Sequence, residues 1–355
     1  MESLRGQDPE RLGEFTLLAR LGSGGMGRVY LGRSPGGAQV AIKVIREDIA
    51  EDPSVLARFR REVATVRSVR GPYTARLVGA SLDAPPYWLA TEFVPGPTLL
   101  AATRGRPLEP ALCTGLFAAL AEALAAVHGY GVVHRDVKPH NVILAPGGPQ
   151  LIDFGIARAA EHTRLTRTGQ TPGTVGYTAP EVLMGDEAGP AADVFGLGAT
   201  IAAAATGRAP YGDGAWPAVS YRVVHGEIDV DGVEPGLADL IRRCVDREPA
   251  RRPAPSEVVR RCGLTYALAD FPPYRLLAGA APAPAFPAPR PRRAPLVTAA
   301  LAVAGVAVAT VVWLLPEDGG DGTAGGGPTV SESVSESGPG EEEQGTGGNG
   351  GDSGD

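Results

Sequence analysis

Residues 132–155 restrict what this chain can become more than any other stretch. His134-Arg135-Asp136-Val137-Lys138-Pro139-His140-Asn141 follows an Ala/Leu-rich helical run from Cys113 to His128. Two short apolar pieces come next, Val142–Leu144 and Gln150–Ile152, joined by the turn residues Pro146-Gly147-Gly148-Pro149, and Asp153-Phe154-Gly155 closes the unit. Two carboxylates and an amide are thus set on loops around a small hairpin. Asp136 has the chemistry to orient a hydroxyl and accept its proton, while Asp153 and Asn141 offer hard oxygen ligands of the kind Mg²⁺ takes. Lys138 can neutralise charge that builds on a transferred phosphoryl group. That combination suits phosphoryl transfer, which asks for positioning and charge neutralisation rather than covalent catalysis.

A second constraint lies upstream. Phe15–Leu21 reads as a strand, followed by Gly22-Ser23-Gly24-Gly25-Met26-Gly27-Arg28-Val29 and then the β-branched strand Gln39–Ile45. Glycines at that spacing let backbone amides approach phosphate oxygens with no side chain in the way. A dinucleotide fingerprint has similar glycines but needs a helix after them, and here a strand follows at Val29. Lys43 sits in the otherwise apolar Val40-Ala41-Ile42-Lys43, where an unpaired ammonium is costly. Glu62, on the helical stretch Phe59-Arg60-Arg61-Glu62-Val63, is the candidate partner, although taken alone it reads equally as a solvated helix position. Lysine usage favours function: the chain has 31 Arg and two Lys, and both lysines fall in these motifs. Where generic positive charge suffices arginine serves, so the retained lysines mark places where a compact ammonium differs chemically from a planar guanidinium.

With these residues the sequence resembles the eukaryotic-type protein kinases, specifically their bacterial membrane-anchored Ser/Thr branch, over residues 13–263. The resemblance implies an α+β, two-lobed fold: an antiparallel sheet with one helix, then a mostly helical lobe. It implies ATP as the bound nucleotide and Mg²⁺ as the metal, with Mn²⁺ as an alternative. Gly22, Gly24 and Gly27 would cover the phosphates, within a nucleotide-binding stretch that also holds Leu21, Ser23, Gly25, Met26 and Arg28. Val29 and Ala41 would sandwich the adenine, Glu92–Val94 would form the hinge that reads its edge, and Thr91 would stand at the gate. Lys43 would pair with Glu62 and the α/β-phosphates, Asp136 would be the catalytic base with Lys138 beside it, and Asn141 and Asp153 would hold the metal.

Later motifs agree with that resemblance. Ala179-Pro180-Glu181 would end the activation segment, Glu181 would pair with Arg252, and Asp193 would brace the catalytic loop, all three as structural residues. His134 is read as a packing residue. Lys138 and Gly173-Thr174 resemble Ser/Thr rather than Tyr specificity, so protein substrates are the expected partners, and a homodimer of kinase domains is left open. Thr166 and Thr168 are the expected autophosphorylation sites, with Arg135 as the charge that receives the phosphate. The competing reading is a catalytically inactive nucleotide-binding scaffold at a membrane; the completeness of Lys43, Glu62, Asp136, Asn141 and Asp153 speaks against it.

Composition matters after residue 263. Residues 264–295 are Pro/Ala-rich and read as a juxtamembrane linker. Leu296–Leu315 has no charge over 20 residues, enough for a bilayer core of ~30 Å. Arg290, Arg292 and Arg293 precede it and acidic residues follow, so the N-terminal domain is expected in the cytoplasm and the tail outside the cell membrane. Residues 316–355 are Gly/Ser-rich and acidic and are expected to be disordered. That tail accounts for the net charge of −7; residues 1–316 have 33 basic and 30 acidic residues. A body so nearly balanced does not suggest a nucleic-acid partner. The first 20 residues contain no apolar run of the kind a secretory leader needs. Cys113, Cys244 and Cys262 lack metal-like spacing and are expected as free thiols, in a reducing compartment.

Overall fold

The computed structural model describes residues 1–24, 27–45, 53–155 and 175–279. Alternating apolar residues build the N-terminal lobe: β1 Arg11–Leu12, β2 Phe15–Gly24, β3 Gly27–Arg33, β4 Gln39–Ile45, β5 Leu77–Ser81 and β6 Trp88–Glu92. They form one sheet in the order β1-β2-β3-β4-β6-β5, every pair antiparallel. The period of two gives this sheet two apolar faces. One face carries Leu77 and Leu89 against helix α1 (Pro53–Val66), whose Phe59, Val63 and Val66 recur at helical spacing and are buried. The opposite face gathers Phe15, Leu17, Tyr30, Ile42 and Trp88, covered in part by Leu4 and Leu12.

The second lobe is helical: α2 Leu99–Thr103, α3 Pro110–Gly129, α4 Pro180–Met184, α5 Pro190–Thr206, α6 Trp216–His225, α7 Pro235–Cys244, α8 Pro255–Cys262 and α9 Pro272–Gly279, with the hairpin β7 Val142–Ala145 and β8 Gly148–Leu151. Proline opens most of these helices, at a position where its missing N–H would have had no intrahelical partner. By length and composition α3 could cross a bilayer, yet Leu116, Phe117, Leu120 and Leu124 are wholly buried within the lobe's core. The α+β, two-lobed expectation is met.

Residues 264–279 depart from the extended linker expected there. Leu268 lies in the core, in space left by Gly115, where a Cβ would come within 2.5 Å of its Cδ1. Tyr274 on α9 is fully buried, and its hydroxyl donates to the carbonyl of Ala145 at 2.7 Å. The Pro272-Pro273 pair occupies the first turn of α9, where proline is tolerated. The remaining linker positions, the 296–315 segment and the 316–355 tail lie outside the described residues. The three cysteines are free; burial pushes the Cys113 thiol up to about 12 and that of Cys262 to about 11, so both stay protonated.

Candidate functional site

The site forms where the two lobes meet. The β2–β3 hairpin presents Leu21, Gly22, Ser23 and Gly24 on one arm and Gly27, Arg28 and Val29 on the other; Gly25 and Met26 fall outside the described residues. Gly27 has φ +131, and a Cβ there would lie 2.0 Å from the Val44 carbonyl oxygen. Only glycine lets the tip cross β4 so closely. Behind the hairpin a cavity is lined by Val29, Ala41, Lys43, Val66, Leu77, Leu89, Thr91, Asp153 and Phe154. Apart from Thr91 it is apolar except at the end where Lys43 Nζ meets Asp153 Oδ2 at 3.3 Å. Val66, Leu77 and Leu89 were not singled out from sequence, although Val66 lies one helical turn beyond Glu62.

The chain leaves the sheet through Glu92–Val94. Glu92 pairs with Arg76 at 2.7 Å, its N–H donates to the Arg76 carbonyl, and Phe93 N–H donates to the Gln39 carbonyl at 3.2 Å. The exit is then pinned to the second lobe, since Leu144 N–H donates to the Pro97 carbonyl at 2.9 Å. Gly96 permits this approach: a Cβ there would lie 2.4 Å from the Leu144 carbonyl oxygen.

Asp136 is buried and held from two sides. Asn141 Nδ2 donates to its Oδ2 and to its carbonyl, each at 2.8 Å, and Lys138 Nζ lies 2.9 Å from Oδ2. With its amide nitrogen so used, Asn141 keeps its side-chain oxygen for another ligand. Arg135 and Asp153 adopt left-handed backbone at φ 66 and 56. Such conformations cost about 1–3 kcal/mol each and persist only where the surroundings fix them. Asp193, buried on α5, does so at Arg135: its Oδ1 accepts from the Arg135 N–H, and its Oδ2 from the His134 N–H, both at 2.7 Å. His128 Nε2 approaches the same carboxylate at 2.8 Å, a brace that its place at the end of an Ala-rich helix did not disclose. His134 does more than pack. Its Nε2 faces the Ile152 carbonyl at 3.1 Å and its Nδ1 the Asp136 N–H at 3.3 Å, which fits the Nε2–H neutral tautomer. Burial holds its pKa below the ordinary value, in keeping with that neutral form.

Glu62 does not meet Lys43 as expected. Its Oε1 accepts from Arg135 Nη1 at 2.7 Å, and its Oε2 is buried without a hydrogen-bond partner. The α1 carboxylate is thus held by the Arg135 guanidinium, while Lys43 pairs with Asp153. On that side of α1 a cavity of about 520 Å³ opens, lined by Arg58, Arg61, Arg135, Tyr177 and Thr178 among others. Thr166 and Thr168 lie outside the described residues. Glu181 and Arg252 meet as expected, at 2.7 and 2.8 Å through both guanidinium nitrogens.

The arrangement can hold a polyanion under the glycine hairpin and offers a buried carboxylate beside an ammonium. The donors also suit a divalent cation. Among the described residues no three His, Cys, Asp or Glu side chains cluster, so such an ion would rest on Asp153 and Asn141 together with oxygens of the polyanion.

The family model for the protein kinase domain matches residues 15–262. Among curated proteins, "Probable serine/threonine-protein kinase PkwA" of Thermomonospora curvata is 40% identical over 277 residues, covering 78% of this chain and 37% of that protein. Serine/threonine-protein kinase AfsK of Streptomyces coelicolor is 42% identical over 261 residues, 73% of this chain and 32% of its own. Serine/threonine-protein kinase PknJ of Mycobacterium tuberculosis is 35% identical over 247 residues, 65% of this chain and 42% of its own. The matched part spans about a third of the length of the first two relatives.

Proposed function

This chain belongs to the protein kinase domain family, and from that premise we propose that it transfers the γ-phosphoryl group of ATP to Ser and Thr hydroxyls of proteins. The observation that carries the reading is Asp136, buried and fixed by Asn141 and Lys138 at 2.8 and 2.9 Å. Asp136 orients the acceptor hydroxyl and takes its proton, and Lys138 offsets charge on the transferred group. Lys43 binds phosphate oxygens, and the backbone of the glycine hairpin covers them. Asp153 and Asn141 would hold Mg²⁺, or Mn²⁺ in its place, which when bound neutralises phosphate charge. The names of the kinase relatives support Ser/Thr rather than Tyr as the acceptor.

Activation by phosphorylation of Thr166 and Thr168 belongs to the same proposal. The supporting feature is the set of three guanidiniums, Arg58, Arg61 and Arg135, that line the 520 Å³ cavity beside Glu62, Asp186, Glu187 and Asp193, and would meet a phosphothreonine. Residues 296–315 would anchor the chain in the cell membrane, with the kinase domain cytoplasmic and the 316–355 tail outside; the uncharged run and the arginines before it support this. The test is the Asp136→Asn variant. Phosphoryl transfer to a protein substrate and to itself should fall by roughly 10²–10⁴-fold, with ATP affinity retained. Mass spectrometry of the wild-type reaction should find phosphate on Thr166 or Thr168. Wild-type turnover in the variant would remove Asp136 from the role of base, and an unmodified pair of threonines would remove the activation step.

A further inference from the structure

The β2–β3 hairpin has two sides. Val29 turns toward the nucleotide cavity with Ala41 and Lys43. By strand alternation Arg28 and Tyr30 turn the other way, onto the outer face. There the chain's first residues lie across the hairpin. The Glu2 and Arg20 backbones exchange hydrogen bonds at 2.9 and 2.8 Å, and Leu17 N–H donates to the Glu10 carbonyl at 2.9 Å. None of residues 1–14 falls within the matched kinase domain, which starts at 15.

At the centre of this strap is Asp8, whose side chain has no exposed area. Its carboxylate grips both arms of the hairpin at once. From β2, Arg20 Nε donates to Oδ2 at 2.6 Å and Arg20 Nη2 donates to Oδ1. From β3, the Tyr30 hydroxyl donates to Oδ1 at 2.8 Å, and Arg28 Nη1 stands 3.9 Å from the same oxygen. The Arg5 N–H, at 2.7 Å, ties the carboxylate back to its own turn. Arg20 and Tyr30 are directly opposed in the ladder, and the β2–β3 register slips between Arg20 and Gly22, where the regular strands give way to the glycine tip. The clamp therefore sits at the root of the tip. The hydrogen bonds from Arg20 hold the Asp8 carboxyl far below the usual carboxylate range, so the clamp keeps its charge at any working pH.

We propose that the strap of residues 1–12 is a working part of nucleotide recognition, with Asp8 as a positioning residue that sets the glycine tip over the phosphates from the opposite face of the sheet. The inference rests on the nucleotide-binding reading above. Its claim is specific: the strap acts on the phosphate end of the ligand and not on the adenine end, which the cavity residues hold.

The experiment compares ATP with adenosine by calorimetry on the full chain carrying Asp8→Asn or Tyr30→Phe, with the exposed Arg11→Gln as control. Removing the charge from a buried, charge-assisted network should weaken ATP by about tenfold and leave adenosine within about twofold. Tyr30→Phe removes one hydroxyl and should shift ATP in the same direction by less, and it carries the test if Asp8→Asn does not fold. Equal weakening of both ligands would make Asp8 a structural residue only, and no change in either would dismiss the inference. Failure of the wild-type chain to bind ATP would instead refute the nucleotide reading itself.

Discussion

Arg252 has no exposed side-chain area, and its guanidinium uses every face it has. Two nitrogens form a fork on Glu181, Nη1 also donates to the Ala191 carbonyl at 2.9 Å, and Nε donates to the Asp246 carbonyl at 2.8 Å. The plane lies 5.2 Å from the centre of the Phe195 ring. Arg252→Ala would leave Glu181 unpaired with only 13% of its side chain exposed, at a cost of about 3 kcal/mol, and Arg252→Lys would restore the charge but not the fork. Urea denaturation should therefore rank wild type above Lys above Ala; an Ala variant as stable as wild type would contradict the assignment. This pair was legible in the sequence because both members sit in short motifs with fixed neighbours. The partner of Glu62 was not. The bond between Glu62 and Arg135 joins residues far apart in sequence, and no spacing rule encodes such a pairing. Asp8 was equally silent, since its partner Arg20 is one of 31 arginines and nothing in composition sets it apart.

At the level of elements, glycine spacing and β-branched runs made the nucleotide hairpin and β4 readable, because period-two burial leaves its mark directly on sequence. The elements that escaped were those whose reason lies in a distant surface. Helix α9 begins with two prolines in an Ala/Pro-rich context, and only the β7–β8 hairpin explains why Tyr274 is buried there. Tyr274→Ala should destabilise the helical lobe by about 3–5 kcal/mol, as loss of a large buried aromatic does. Tyr274→Phe, which removes only the hydrogen bond to Ala145, should cost about 1–3 kcal/mol because it leaves that carbonyl without its partner. Thermal denaturation of the two variants separates packing from hydrogen bonding; a wild-type midpoint for Tyr274→Ala would return residues 264–279 to the status of linker.

For the whole molecule, the two-lobed architecture was foreseeable once its motifs were recognised, while the proposed membrane attachment rests on the uncharged run at 296–315. Deleting those 20 residues should move the chain from the membrane fraction to the soluble one in fractionated cells, with phosphoryl transfer in vitro preserved. Retention of the deleted chain in membranes would overturn the anchor. The Glu62–Arg135 bridge, finally, has a thermodynamic meaning of its own, since it ties α1 in one lobe to the 132–138 loop in the other. Were Glu62 to turn to Lys43 instead, one ion pair would break as another formed, an exchange rather than a gain. The balance between the two pairings is then a small difference of similar terms, far below the cost of losing a pair outright. A difference of about 1.4 kcal/mol would shift such a balance tenfold. Such a joint would answer to modest local charge beside Arg135 as a rheostat answers to a turn of its dial.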